Sequence, residues 1–537
     1  MERAGNCETS ARGTDGAARG SSLLPRANGH RPLRARDVQI YRVCEDLTEV
    51  LVYAMVVFSP WAFGTTQAWS MWAMTGAGYV CGALLGCKLA IRRFKGYEPS
   101  RWGETRRSGP PSETGDARFL TPARLAAVLA WLTVGILAYC LVSAVNARAT
   151  FRPDQFSFVY APPRKWVSWL PHSLDGGRTW LAFWQYLGLA CAFWAIRDWL
   201  LGKTEGEERA QRSGQGPEGQ HSAPLLPARL RRLLWVLTIN GGLLGVEGIV
   251  QRLEGSGRLL FLVQPHVNPA ASTQFGPYAY RSNAAQYLNL LWPVGLGFWW
   301  MLNQSLGFRH KRHHLILLSC VIMAACPIIS TSRAGALIAF GIVALAAVLL
   351  AASHFLFVPR RPGDRKGQRV TLVCLQLSFV VALALGLGFG WKTLKPRLEQ
   401  LGEGFEIRQR MCDLARPMAE DYPWFGTGPG TFESVFQLYR ISTDTYWPAQ
   451  LHNDWLETRI TFGWVGSGLI ASALAVVVLR WFVRGGIHGG RRFVILMWLA
   501  LAGCLAHARY DFPFQIHSIV FLFLVLCAIL FNLTRRA

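Results

Sequence analysis

A polar tetrapeptide leads into a long apolar run at residues 451–479, which read LHNDWLETRITFGWVGSGLIASALAVVVL. The apolar part, Trp455–Leu479, is long enough to cross about 30 Å of hydrocarbon at a helical rise of about 1.5 Å per residue. A comparable run lies upstream at Val370–Trp391, and the segment between the two, residues 392–455, is polar and rich in arginine. The sequence therefore predicts two membrane helices joined by one large polar loop.

The rest of the 537-residue chain repeats this alternation, since 51% of its residues are hydrophobic and most of them fall in runs of about twenty. Such a composition excludes a soluble enzyme. It predicts an all-α, polytopic integral membrane protein of about twelve transmembrane helices. The predicted spans lie near residues 48–66, 70–90, 124–146, 179–200, 232–250, 284–302, 314–331, 334–357, 370–391, 456–482, 493–509 and 514–533.

The net charge of +24 is carried by basic residues in short segments between the apolar runs. This distribution is typical of positive-inside topology and argues against a nucleic-acid partner. With a cytosolic N-terminus, residues 91–122, 201–230 and 358–369 fall inside the cell. The loop at 392–455 then falls on the outer face of the membrane.

This topology divides the chain into five predicted parts. Residues 1–36 have no apolar core of the kind a signal peptide needs, so the N-terminus is expected to be a disordered cytosolic tail. The parts are the tail at 1–45, spans 1–4 with cytosolic linkers at 46–230, spans 5–9 at 231–391, the periplasmic loop at 392–455, and spans 10–12 at 456–537.

Three arginines fall at predicted helix ends on the outer face, against the charge rule. They are Arg281, Arg333 and Arg408. A guanidinium near membrane depth is unfavourable without a partner, and an anion such as a phosphate is the natural one. For Arg281 alone, anchoring at the membrane interface explains the residue about equally well.

His452 precedes the span at 456–482 on the same predicted face. An imidazole titrates near neutral pH and can accept a proton from a hydroxyl, with Asp454 and Glu457 as supporting carboxylates. The alternative, that these three residues bind a metal, is disfavoured by their loose spacing, so we expect no metal and no cofactor. The glycine-rich stretch at 426–430 lacks the Gly-Lys-Ser/Thr of a nucleotide-binding loop.

Five stretches, in chain order, resemble the O-antigen ligase and O-antigen polymerase family. They are Arg281-Ser-Asn-Ala-Ala-Gln-Tyr-Leu, Ser330-Thr-Ser-Arg-Ala-Gly, Arg408 leading to Asp421-Tyr-Pro-Trp-Phe-Gly-Thr-Gly-Pro-Gly-Thr-Phe, Leu451-His-Asn-Asp-Trp-Leu-Glu, and Asp511-Phe-Pro-Phe-Gln. The resemblance covers about residues 230–530. The chain departs from it at Ser282 and Asn283, where relatives often have Asn and His, and at Cys412, where an aromatic residue is common.

The resemblance implies a GT-C-like inner-membrane glycosyltransferase that is metal-independent and inverting. Its donor would be a glycan on an undecaprenyl-diphosphate carrier, and its acceptor a glycan, lipid or protein on the periplasmic side. Carried over to this chain, Arg281, Arg333 and Arg408 would bind the diphosphate, with Arg410 as a further supporting residue. His452 would act on the acceptor hydroxyl.

Ligase, polymerase and protein O-oligosaccharyltransferase share these motifs, and the sequence does not separate them. A transporter of a lipid-linked sugar is a further alternative, but internal repeats and midplane charges are sparse here. A structural membrane subunit would not require arginines and a histidine on one face. The sequence therefore favours glycan transfer of the O-antigen ligase type.

Overall fold

The structure is a computed structural model that describes residues 32–102, 121–213, 226–306, 311–357, 365–441, 448–483, 487–488 and 490–534. Helices dominate it. They are α1 (Ala35–Trp61), α2 (Ala68–Lys95), α3 (Pro122–Val145), α4 (Gly176–Leu201), α5 (Glu205–Arg212), α6 (Ala228–Glu254), α7 (Arg281–Leu306), α8 (His314–Ile329), α9 (Arg333–Phe357), α10 (Arg365–Glu399), α11 (Leu401–Asp421), α12 (Phe432–Val435), α13 (Asp454–Leu479), α14 (Arg491–His507) and α15 (His517–Asn532).

The described strands form two small sheets. One is an antiparallel hairpin of β1 (Ala149–Arg152) and β2 (Ser157–Tyr160), and the other pairs β3 (Ile487–His488) with β4 (Leu533–Thr534) in parallel. With so few strands, the helical membrane class predicted from the sequence is confirmed.

A helix occupies each of the twelve predicted spans. Six of the described helices are long and apolar enough to cross a membrane, so the number of twelve crossings stays a prediction. The six are Ala68–Lys95, Pro122–Val145, Gly176–Leu201, Ala228–Glu254, Val373–Glu399 and Asp454–Phe482.

The predicted tail differs at its end, because α1 begins at Ala35, ten residues before the predicted boundary at residue 45. Residues 1–31, where most of the tail lies, are outside the described part of the chain. The segment at 201–230 is predicted to be a low-complexity linker, and its described portion contains α5. A capping box starts this helix, with Thr204 and Glu207 bonded to one another's backbone N–H groups.

Helix α7 is the central element of the bundle. Nearly all its residues are buried, and it packs against α6, α8, α9, α14 and α15. A helix that is apolar on every side is stable only when other helices or lipid surround it. Since Arg281 is its first residue, the predicted phosphate ligand lies at the end of a helix that is buried along nearly its whole length.

The polar loop predicted at 392–455 is largely helical, and here the prediction needs correction. Helix α10 runs on to Glu399, and α11 follows after Gln400. The buried face of α11 includes Ala415 and Met418, which belong to a second hydrophobic core. The apolar pattern at 411–418 indicates only a short amphipathic helix, because glycines and charges dilute it upstream.

Helix α13 is broken near its beginning by the glycine-rich segment that precedes it in the sequence. Gly463 has φ 60° and ψ −166°, a conformation open almost only to glycine. At this break the carbonyl groups of Ile460 and Thr461 accept hydrogen bonds from the N–H groups of Thr427 (2.8 Å) and Gly428 (3.1 Å). The N–H groups of 427 and 428 are therefore bonded to α13 and are not free to cradle a phosphate.

Candidate functional site

The site is centred on Asp511, in the connection between α14 and α15. His452, just before α13, places its Nδ1 2.8 Å from Asp511 Oδ1. A carboxylate can only accept a hydrogen bond, so Nδ1 carries the proton, and Nε2 of the neutral ring has its lone pair free. The His452 side chain is 20% exposed, so that lone pair can be reached from outside the protein.

Asp511 also binds residues from the start of α7. Ser282 Oγ donates to Asp511 Oδ2 at 2.6 Å, and the Tyr280 hydroxyl donates to the same oxygen at 3.3 Å. His507 lies beside them, with Nε2 3.1 Å from Ser282 Oγ and 3.7 Å from Asp511 Oδ2. Tertiary packing thus joins three separate parts of the sequence at one carboxylate.

The electrostatics of the site keep this carboxylate ionised. Burial alone would raise the pKa of Asp511, because a charge in a low-dielectric interior is unfavourable. The hydrogen bond from His452, with His507 and the Arg408 guanidinium close by, holds the pKa of Asp511 well below its usual range. A buried, permanently ionised aspartate beside an imidazole is suited to orienting the ring and stabilising its protonated form.

His452 itself has a left-handed backbone, with φ 56°. Residues other than glycine rarely adopt this conformation, and it persists where the surroundings impose it. On one side Glu457 accepts a hydrogen bond from the Leu451 N–H (2.9 Å), and on the other Asn453 Oδ1 caps α13 by accepting from Leu456 N–H (3.2 Å). The cap and the Glu457 contact fix the chain around the imidazole.

The supporting carboxylates predicted from the sequence have structural partners. Asp454 Oδ2 accepts a hydrogen bond from the Phe514 N–H at 2.7 Å, and its Oδ1 accepts one from Gln515 Nε2 at 3.0 Å. Asp454 thereby anchors the segment that begins at Asp511. The Asp454 side chain, predicted as a supporting carboxylate, thus contacts the segment after Asp511.

These separate contacts do not fit the alternative metal site. Asp454, Glu457 and His452 each bind a different group. Within the described ranges, no three His, Cys, Asp or Glu side chains are grouped as the ligands of a metal ion would be.

The three predicted arginines reach the neighbourhood of this site through different contacts. Arg408 donates to the Tyr510 carbonyl at 2.6 Å and to the Tyr280 hydroxyl at 3.0 Å, and it lies 3.9 Å from Asp511 Oδ2. Burial alone lowers the pKa of Arg408, but the carboxylate of Asp511 outweighs this effect and raises it. Arg408 is therefore a fixed positive charge at the edge of the site.

Arg281 and Arg333 bind backbone carbonyls and no carboxylate of the described chain. Arg281 donates to Ser272, and Arg333 donates to Gln400 at 2.9 Å, where α10 meets α11. Arg410, in contrast, is exposed on α11, and no hydrogen bond or ion pair joins it to another described residue. Of the predicted basic residues, Arg410 is thus the one not brought to the site.

Two further arginines complete a cluster with Arg281, Arg333 and Arg408. Arg281 interacts electrostatically with Arg252, at the end of α6, and with Arg397, at the end of α10. Arg397 in turn interacts with Arg333, and Arg333 with Arg408. Four of these guanidinium groups interact with Tyr280, and Arg252 joins them through Arg281 and Arg397. Asp511 is the one carboxylate of the described chain that forms an ion pair with any of the five. Such a cluster attracts an anion.

Sequence reasoning missed Arg252 and Arg397 and did not assign Asp511, Tyr280 or His507 a role. Asp511 opens the last of the five stretches that carry the family resemblance, and this is the signal that could have identified it. The two arginines stand at helix ends, where topology and interfacial anchoring explain basic residues equally well.

The structure thus defines a predominantly helical protein in which a cluster of arginines lies beside the hydrogen-bonded pair His452 and Asp511. Residues 318–471 match the family model described as O-Antigen ligase. The match confirms the resemblance drawn from the motifs, and it includes Arg333, Arg408 and His452. Searches of curated proteins and of solved structures find no match.

Proposed function

We propose that the protein transfers a glycan from a polyprenyl-diphosphate carrier, undecaprenyl diphosphate in bacteria, to an acceptor hydroxyl on the periplasmic face of the inner membrane. The observation that carries the proposal is the arginine cluster beside the His452–Asp511 pair. One part attracts a diphosphate and the other accepts a proton. Glycan transfer from a lipid diphosphate needs both.

The donor would place its diphosphate among Arg281, Arg333 and Arg408. A guanidinium binds phosphate oxygens through two parallel hydrogen bonds, and Arg408 is already fixed by Tyr510 and Tyr280. As the bond between the sugar and the diphosphate breaks, negative charge develops on the leaving phosphate. Positive charges held in place stabilise that transition state without rearranging.

The acceptor would approach the free Nε2 of His452. Nε2 takes the proton of the acceptor hydroxyl while the hydroxyl oxygen attacks the anomeric carbon, opposite to the leaving diphosphate. Attack from that side inverts the sugar configuration. Asp511 holds Nδ1 and stabilises the imidazolium that forms. None of these steps calls for a metal ion or a cofactor.

The ligase type, in which the acceptor is another lipid or glycolipid, is the form that the description of the matched family favours. Polymerase and protein O-oligosaccharyltransferase activities use the same chemistry with a different acceptor. They are distinguished by the acceptor that is consumed.

The test is to reconstitute the purified protein with a polyprenyl-diphosphate glycan and, in parallel, a glycolipid, a glycan repeat and a protein acceptor. We expect transfer to one of these, abolished in the double variant Arg281→Gln/Arg408→Gln. Donor turnover that is absent with every acceptor, from protein that retains its parental unfolding temperature, would contradict the proposal.

A further inference from the structure

Arg397 differs from the other four arginines of the cluster. Arg252, Arg281, Arg333 and Arg408 each donate to at least one protein oxygen. The Arg397 guanidinium has no hydrogen-bond or ion-pair partner among the residues that the structure describes. The Arg397 side chain is half-buried. Its five N–H donors are therefore not used by protein acceptors and can bind a ligand that enters the cluster.

Arg397 lies close to Arg333 in the fold. The Arg333 guanidinium bonds the Gln400 carbonyl and lies 3.5 Å from the Arg397 carbonyl oxygen, which ties the end of α10 to the start of α9. On the following helix, a side chain at Gly404 would meet the same guanidinium. Arg333 therefore contacts the backbone at the end of α10, where Arg397 lies.

The charge of the proposed substrate changes during the reaction. A diphosphate esterified at both ends carries about two negative charges, and once the sugar has left it carries about three, because a terminal phosphate loses its second proton near pH 6. Arg408 is matched in part by Asp511. Both terminal nitrogens of Arg252 donate to backbone carbonyls. Arg281 and Arg333 then match the two charges of the bound donor, and Arg397 is the cation of the cluster left for the charge that appears as the sugar leaves.

Resting on the proposed function, we infer that Arg397 binds the leaving diphosphate and takes up the negative charge that develops on it. The anomeric C–O bond breaks, and its electron pair stays on the phosphate oxygen that faces Arg397. The acceptor oxygen forms the new C–O bond, and its proton goes to His452. Arg397 is then a residue selective for the transition state and the product over the bound donor.

The experiment measures the binding of two probes to the detergent-solubilised full chain at one ionic strength. Farnesyl diphosphate represents the product, and N-acetylglucosaminyl-diphosphate-farnesol represents the donor. The parent should bind farnesyl diphosphate more tightly. Arg397→Gln should weaken that probe by at least about 10-fold, the usual effect of removing a hydrogen bond between charged groups, and the donor probe by much less.

Lys395→Gln is the matched control, because it removes the same charge from the same helix end. Lys395 is exposed and pairs with Glu399 instead of facing the cluster. It should bind both probes as the parent does. Arg397→Lys should recover part of the product affinity, since Lys keeps the charge but not the planar fork. This variant also serves if Arg397→Gln does not fold.

Three results would overturn the inference, and they are distinct. If Arg397→Gln binds both probes like the parent, the Arg397 assignment fails and the proposed function stands. Equal weakening of both probes makes Arg397 an ordinary donor ligand and refutes its selectivity. If the parent itself binds neither probe, the diphosphate-dependent function fails together with the inference.

Discussion

Nδ1 of His452 and Oδ1 of Asp511 are 2.8 Å apart although 59 residues separate them in the chain. The first precedes α13 and the second follows α14, so two helices must pack correctly before the pair exists. The backbone repeats this link, since the Asp454 N–H donates to the Ala508 carbonyl at 2.8 Å. The imidazole and its carboxylate are therefore held together by both side chains and main chain.

His452→Ala should slow glycan transfer by about 10²–10⁴-fold, which is the usual contribution of a general base. Donor binding should change little, because the arginine cluster remains. His266→Ala is a suitable control, because His266 is exposed and forms none of the contacts described for the site. Transfer rate and donor affinity are measured separately. A variant that loses both together would assign His452 to phosphate binding.

Asp511→Asn should lower the transfer rate at every pH between about 5.5 and 8.5. The folded-state pKa of Asp511 lies well below its usual value, so the carboxylate stays ionised throughout this range. Its contribution to folding stability is complete above the unfolded pKa of about 3.9 and is lost only as pH falls through the lower folded pKa.

Any change in the parental rate across this range should therefore come from a group other than Asp511. The measurement is transfer rate against pH, alongside thermal unfolding at the same pH values. A fall in parental stability between pH 8.5 and 5.5 that disappears in Asp511→Asn would show that the aspartate titrates there.

Gly463→Ala should destabilise the protein by about 1–3 kcal/mol or more. A side chain is strained at φ 60° and ψ −166°, and its Cβ would lie 2.3 Å from the Trp424 carbonyl oxygen. Gly468→Ala, five residues along the same helix, meets no atom within 4 Å and should be neutral or stabilising. Thermal unfolding of both variants in one detergent compares them, and equal midpoints would argue against the break in α13.

Excess EDTA should leave transfer unchanged, because the proposed steps are performed by arginines, His452 and Asp511. The reconstituted assay is repeated with chelator and then with added Mg²⁺ or Mn²⁺. Activity that is lost on chelation and restored by either ion would assign a metal to the site and reduce the arginines to a secondary part.

Membrane topology can be tested at two positions whose exposure the structure gives. Ile441 is 85% exposed beyond α12, and Phe94 is 66% exposed at the end of α2. In cells, a membrane-impermeant thiol reagent should label Ile441→Cys from the periplasm and should reach Phe94→Cys only after the membrane is opened. The opposite pattern would place the site in the cytosol and overturn the proposed function.

Hydropathy located the helices well because an apolar run of about twenty residues has few alternatives in a chain of this composition. Hydropathy did not predict the full length of α11, because glycines and charges dilute the helical period upstream of residues 411–418. Helix α11 is held by packing of residues such as Met418 against a core that forms only in the folded chain. The local sequence of α11 does not show which distant residues will form that core.

The site was predicted in part for a related reason. Arg281, Arg333 and His452 stand out because polar residues at the ends of apolar runs are few. The partnership of Asp511 with His452 depends on how α13, α14 and α15 pack, and no sequence spacing reports it. Arg397 is one of several basic residues near the end of α10, and only the contacts of its neighbours distinguish it from Lys395.

The contact between His452 and Asp511 has a consequence for what constitutes the smallest working unit. The family match ends at residue 471, before Asp511, and begins at residue 318, after Arg281. A fragment limited to the matched residues would retain the imidazole but lose its carboxylate partner, the segment after Asp511 that Asp454 anchors, and two of the five clustered arginines, Arg252 and Arg281. The smallest working unit therefore reaches at least from the end of α6 to α15, and moving the matched segment into another membrane protein should transfer the motif without its chemistry.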